Sequence, residues 1–205
     1  MSGPRVLACG ALASELRVVL GQLDAGVEVR YLPAHLHNRP ERNVPELTAA
    51  LADPDDERPV LVAYADCGTG GALDRWLADR PNARRLPGAH CYELFAGSAL
   101  FHALHDAEPG TFYLTDFLAK HFDALVWQGL GLDRHPELLA TYFAHYRRVV
   151  LVSQRDDATV VTAARAAAER LGLEFEHRAV GLGPFTEAVA IGLAGRRRVD
   201  QAVME

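Results

Sequence analysis

Two spacings of apolar residues take turns along this chain. Short continuous apolar runs alternate with stretches in which apolar side chains recur at helical spacing. "RVLACG" reads as a strand ending at Cys9, and "ALASELRVVLGQL" as a helix with Leu12, Leu16, Val19 and Leu20 on one face. "VEVRYLPA" is a second strand, stopped by Pro33. A polar loop, "HLHNRPERN", leads to the helix "VPELTAALAD", with proline near its first turn. "RPVLVAYAD" is apolar throughout, as a central parallel strand covered on both faces should be. "GTGGALDRWLAD" then turns into a helix.

The middle of the chain is less regular. "ARRLPGAHCYELFAGSALFHALHD" predicts a short extended piece, a turn at Pro87-Gly88 and a helix starting near Tyr92. "EPGTFYLTDFLAKHFDALVWQGLGLDRHPELLATYFAHY" reads as mostly helical, broken at Gly129 and Gly131, with Trp127 and Tyr142 in the core. Asp116, Lys120 and Asp123 would form a charged helix face. Regularity then returns, with "YRRVVLVSQ" as strand, "DDATVVTAARAAAERLG" as helix and "LEFEHRAV" as strand. Asp156 or Asp157 is the expected cap of that helix.

Strands alternating with helices predict an α/β fold. We expect a mainly parallel sheet with flanking helices in Rossmann-like layers, plus a helical insertion around residues 92–146. No linker-like tract interrupts the chain, so residues 1–205 are expected to form a single domain. The net charge of -6 argues against a nucleic-acid partner, since the only dense basic cluster is "GRRRVD". Glu15 and Arg17 interrupt the first apolar stretch, and no window is long enough to span a bilayer. The expectation is a cytoplasmic protein without membrane contact, whose three cysteines are not in disulfides.

Those cysteines carry the candidate chemistry. Cys9 ends the first strand and Cys67, in "DCGTGG", follows the third, so a parallel sheet puts both at its carboxyl edge, where open α/β sheets bind ligands. Cys91, in "GAHCYEL", lies between a turn and a helix and could reach the same edge. Three thiolates can bind zinc with one position open to water or a thiol. They can also hold a [4Fe–4S] cluster with one iron free, although His35, His37 and His90 suit zinc better. A third option is a metal-free nucleophile, Cys67 or Cys91, activated at a helix start or by a histidine. His37, also at the carboxyl edge, is the candidate fourth ligand, and His35 lies two residues before it. Gly68, Thr69 and Gly70 are candidate cofactor-binding positions, although "CGTGG" matches neither common phosphate-loop pattern. His90 would orient a thiolate or move a proton, and Glu93 would cap a helix or carry a proton. Asp116, Lys120, His121, Asp133, Arg134 and His135 are further groups that could close over a site.

Taken in order, "CGAL", "LPAHLHNRP", "AYADCGTGG", "GAHCYELFAG", "EPGTFYLTDFLAKHFD" and "GLGLDRHPEL" resemble the family called domain of unknown function 1638, from about Val6 to Gly183. The resemblance implies a place beside corrinoid-dependent methyltransferase systems for methylated amines. On that footing the expected substrate is a small thiol or one-carbon carrier, and the expected partner a corrinoid protein or methyltransferase. A non-enzymatic accessory or metal-delivery role is the other reading that the resemblance implies.

Overall fold

The structure, a computed structural model, describes residues 3–51 and 57–194. The basic run "GRRRVD" and the side chain of His37 lie outside the described residues. In chain order the first elements are β1 (Arg5–Cys9), α1 (Ala13–Gln22), β2 (Glu28–Leu32), α2 (Asn43–Ala50), β3 (Val60–Ala63), α3 (Ala72–Ala78) and β4 (Ala83–Arg85). Next come α4 (Cys91–Ala96), α5 (Ser98–Ala107), β5 (Thr111–Leu114), α6 (Asp116–Lys120) and α7 (Leu138–Tyr142). The last are β6 (Arg148–Ser153), α8 (Ala158–Leu171), β7 (Glu174–Ala179) and α9 (Gly183–Ala194). Every strand pairing is parallel, which makes this an α/β fold. The strands form two sheets where the sequence predicted one. The chain divides accordingly into two compact units, Met1–Leu94 with Pro184–Glu205, and Phe95–Gly183.

In the first unit the strand order is β2-β1-β3-β4. All four residues of β3 are buried, because helices cover both faces of this central strand. Leu7, Val60 and Val62 pack with Leu36, Leu47, Leu73 and Trp76, forming the core beneath α2 and α3. The opposite face carries Val6, Ala8, Leu61 and Ala63, all buried. There α9 comes so close that a Cβ on Gly192 would stand 2.8 Å from Leu61 Cδ1. The crossover from β1 goes to β2 on one side, while the chain from β3 continues to β4 on the other. The loops after β1 and β3 therefore diverge, which opens a crevice between their carboxyl ends. The last residue pair between these strands is Ala8 with Ala63. One step further stand Cys9 and Tyr64.

The second unit has the order β5-β6-β7. Its core gathers Leu114, Leu118, Phe122, Val149, Leu151, Val160 and Ala164. Asp157 caps α8 as expected, its carboxylate accepting the Thr159 N–H at 3.0 Å. Three expectations for this region are corrected. "TFYL" is the strand β5, a short run whose β-branched and aromatic residues outweigh the helical spacing around it. Tyr142 is exposed, because α7 is one short turn with no buried residue. Asp116, Lys120 and Asp123 share no helix face, since α6 ends at Lys120 and Asp123 opens a π-helical turn. Asp116 is instead buried, accepting the N–H groups of Gln154 and Arg155 at 3.1 Å each. Lys120 pairs with Asp157 at 3.1 Å, and Asp123 with Arg170.

Candidate functional site

Close backbone approach explains the glycine after Cys9. A Cβ on Gly10 would stand 2.8 Å from the Leu32 carbonyl oxygen, so only glycine lets the loop leaving β1 pass the end of β2. Cys67 is held differently. Its φ is +49°, in the left-handed region that side-chain-bearing residues rarely occupy. The Asp66 N–H donates to the Gly88 carbonyl at 3.1 Å, and the Cys67 N–H to that of Ala89 at 2.8 Å. These bonds tie the loop after β3 to the turn that leads into α4, and so bring Cys67 toward Cys91.

The glycine bed beyond Cys67 is a cap built around Asp66. The Asp66 carboxylate accepts the Thr69 hydroxyl, the Gly70 N–H at 3.2 Å and the Gly71 N–H at 3.1 Å. Burial works against this charge, but the Thr69, Gly71 and Gly70 donors outweigh it and hold the carboxyl below its usual range. Gly68, Gly70 and Gly71 all have positive φ, as this winding requires. The Thr69 hydroxyl and the Gly70 N–H, expected at a cofactor, are thus bonded to Asp66.

On the other side of the turn, the Glu93 carboxylate accepts the Ala89 N–H at 2.7 Å and shapes the entry to α4. His90 stacks on Tyr92 with ring centroids 4.8 Å apart. Burial lowers the His90 pKa, against the pull of the Asp66 and Glu93 carboxylates, so the ring is neutral near pH 7.

Cys9, Cys67 and Cys91 line one cavity of about 20 Å³, together with Ala11, Leu12, Asn43 and Tyr64. Each cysteine residue keeps some surface at solvent, although each sits deep among protein atoms. Burial pushes all three thiols up, Cys67 to about 12, and charge on Cys9 raises both Cys67 and Cys91 further. The three are therefore neutral thiols near pH 7 and repel one another's ionisation. Tyr64 is raised by burial first and then by charge on Cys9 and Cys67. The buried Tyr64 hydroxyl lies within hydrogen-bonding reach of the Cys9 side chain, while the buried Asn43 Oδ1 has no hydrogen-bond partner among the described residues. Among the described residues, no three His, Cys, Asp or Glu side chains stand ready-set around a single ion.

The sequence expectations separate accordingly. Cys9, Cys67 and Cys91 meet at one cavity, with His90 in the turn just before Cys91 and Glu93 in the first turn of α4. His35 is exposed on the 3-10 turn Ala34–Asn38. Asp116, Lys120, His121, Asp133, Arg134 and His135 belong to the second unit, and all but Asp116 are exposed. Asn43, Tyr64 and Asp66 were not singled out from the sequence. Tyr64 hides in an apolar run and Asn43 at an ordinary helix start. The "DxxT" spacing of Asp66 and Thr69 is a readable cap signal.

The fold and the site define a parallel α/β protein that gathers three thiols on one cavity at a topological switch point. Residues 31–189 match the family described as "Protein of unknown function (DUF1638)", and the chain belongs to that family. The matched span contains His37, Cys67, His90, Cys91 and Glu93, while Cys9 precedes it. No curated protein and no solved structure matches this chain. Among the described residues no helix is long and apolar enough to cross a membrane.

Proposed function

We propose that Cys9, Cys67 and Cys91 together hold one thiolate-bound metal centre, zinc in the leading reading, with one position open to a small substrate. The observation that carries this is convergence. Three cysteines from three separate loops line a single cavity together with Asn43 and Tyr64. A cation there would offset the mutual repulsion of three thiolates, which burial alone keeps protonated. Zinc with three thiolates and an open position would polarise a bound thiol or water. The substrate class, a small thiol or one-carbon carrier, rests on the family resemblance and its corrinoid setting. A corrinoid protein or methyltransferase is the corresponding partner.

A [4Fe–4S] cluster held by the same three thiolates, with one iron free, is the second reading. The lone-nucleophile reading is the weakest of the three. It needs one thiolate at neutral pH, whereas burial raises every one of these thiols.

The test is elemental and sulfide analysis of protein purified without oxygen, alongside Cys9→Ala, Cys67→Ala and Cys91→Ala. The proposal expects one centre per chain, lost or strongly depleted in each variant. Zinc without sulfide selects the first reading, and about four irons with labile sulfide the second. Wild-type protein without stoichiometric metal, in fresh and metal-supplemented preparations, would sink both.

A further inference from the structure

Cys67 and Cys91 are tied to each other by more than a shared cavity. The Asp66 N–H donates to the Gly88 carbonyl at 3.1 Å and the Cys67 N–H to the Ala89 carbonyl at 2.8 Å, so the loop after β3 runs bonded along the turn before α4. The Cys67 sulfur also lies within hydrogen-bonding reach of the Cys91 N–H. Arg85 braces the same turn. Its Nη1 donates to the Leu86 and Gly88 carbonyls at 2.8 and 3.1 Å, while its Nε and Nη2 hold the Asp74 carboxylate at 2.6 and 2.9 Å. Cys9 is engaged elsewhere, its sulfur meeting the Tyr64 hydroxyl and the Ala11 N–H. The cavity that all three cysteines line measures about 20 Å³, room for roughly one water, so a small hydroperoxide suits it and a bulkier oxidant does not. Each cysteine keeps some surface at solvent, which gives such a molecule access. Asn43 Oδ1 lines the same cavity, is buried without a partner among the described residues, and can accept an O–H there.

We propose that Cys67 and Cys91 are a peroxide-oxidisable dithiol pair that closes to a disulfide and leaves Cys9 as the free thiol. One sulfur attacks hydrogen peroxide, the O–O bond breaks, and a sulfenic acid and a water form. The second thiol then displaces the sulfenic hydroxyl as another water, and the S–S bond forms. Two thiols and one peroxide thus give one disulfide and two waters, the sulfurs being oxidised and the peroxide reduced. Burial keeps both thiols protonated near neutral pH, so the pair answers a lasting excess of peroxide rather than a brief pulse. The bond closes the segment from Cys67 to Cys91, which carries α3 and β4, and cross-links the left-handed loop to the start of α4. It also withdraws two of the three sulfurs from any ligand of the cavity. The inference concerns the metal-free chain and does not rest on the metal-centre reading.

The experiment uses the full chain, reduced and freed of metal with a chelator, as wild type, Cys9→Ser, Cys67→Ser and Cys91→Ser. Each is held in excess hydrogen peroxide while folded, quenched with catalase, alkylated at its remaining thiols and mapped by mass spectrometry. The proposal expects wild type and Cys9→Ser to lose two hydrogens and to yield one linked peptide pair, Cys67 with Cys91, which dithiothreitol reverses. In wild type the alkylated thiol should be Cys9. Cys67→Ser and Cys91→Ser should form no intramolecular disulfide and should instead carry a sulfenic acid, trapped with dimedone on the partner cysteine that remains. The oxidised wild type should melt about 5 °C or more above the reduced form, because the new bond restricts the unfolded chain. Should either serine variant at the pair fail to fold, the linked peptide in wild type and Cys9→Ser still decides. A linked peptide that contains Cys9, or folded wild type with all three thiols still alkylated, overturns the proposal. A melting temperature lowered by oxidation also overturns it, since the bond would then strain the fold. Wild type that forms this bond but takes up no metal sinks the metal-centre reading and leaves the dithiol pair standing. Metal uptake without the bond does the reverse.

Discussion

Cys67 occupies a backbone conformation better suited to the glycines that follow it. A left-handed φ costs a side-chain-bearing residue about 1–2 kcal/mol relative to glycine. The chain keeps a cysteine there, and such strain is found where a site uses it. The account therefore predicts opposite signs for stability and chemistry. Metal-free Cys67→Gly should be more stable than metal-free Cys67→Ala by about 1 kcal/mol, measured by denaturant unfolding, although neither holds the centre. Asp66 gives a second residue-scale prediction. Removing its cap with Asp66→Ala should cost about 1 kcal/mol near neutral pH. Its folded pKa is below the ordinary 3.8, so the contribution is present above that value and is lost as pH falls through the lower, folded one. The gap between wild type and Asp66→Ala should therefore close in acid below about pH 4, as read from unfolding midpoints. The cysteines were legible in the sequence because each follows a strand or a turn, and parallel strands send such residues to one edge. The buried oxygens of Asn43 and Tyr64 were not. Whether a polar atom is buried, and what it meets there, depends on packing between distant segments, which no local pattern records.

At the scale of elements, α2 decides where Asn43 sits. The Trp76 indole N–H donates to the Thr48 hydroxyl at 2.9 Å, and that hydroxyl donates in turn to the Val44 carbonyl at 2.8 Å. This chain couples α3 to α2 behind the cavity. Thr48→Val keeps the shape but leaves the Trp76 N–H unpaired, which should cost about 1–3 kcal/mol in chemical unfolding. Gly10→Ala acts from the other side, by driving a methyl against the Leu32 carbonyl. A cost of roughly 1–3 kcal/mol is expected, together with loss of the centre, because the loop carrying Cys9 must shift. In the first unit β1 and β3 were readable since their cores are continuous apolar runs, bounded by turn residues. β5 was not, because its four residues sit between two helical stretches whose spacing runs up to its ends.

At the scale of the whole molecule, the partition into two sheets could not be read from alternation alone. A parallel strand looks the same whichever sheet it joins, and the choice is made by register and long-range contact. Each unit has its own buried core, centred on β1 and β3 in one and on β6 in the other. Amide hydrogen exchange should accordingly show two separate sets of slow protons, in Val6–Ala8 with Val60–Ala63 and in Val149–Val152. If the cysteine centre forms as proposed, chelation should speed exchange first around Cys9, Cys67 and Cys91, and leave the Val149–Val152 set unchanged.

The central claim is that three cysteine sulfurs meet on one metal centre. X-ray absorption at the edge of the bound metal tests it most directly, since it counts sulfur neighbours without a substrate or an assay. For zinc the account predicts three sulfurs at about 2.3 Å with one lighter or exchangeable ligand, falling to two sulfurs in Cys91→Ala. A shell of oxygen and nitrogen alone, or a sulfur count unchanged by that substitution, would contradict it.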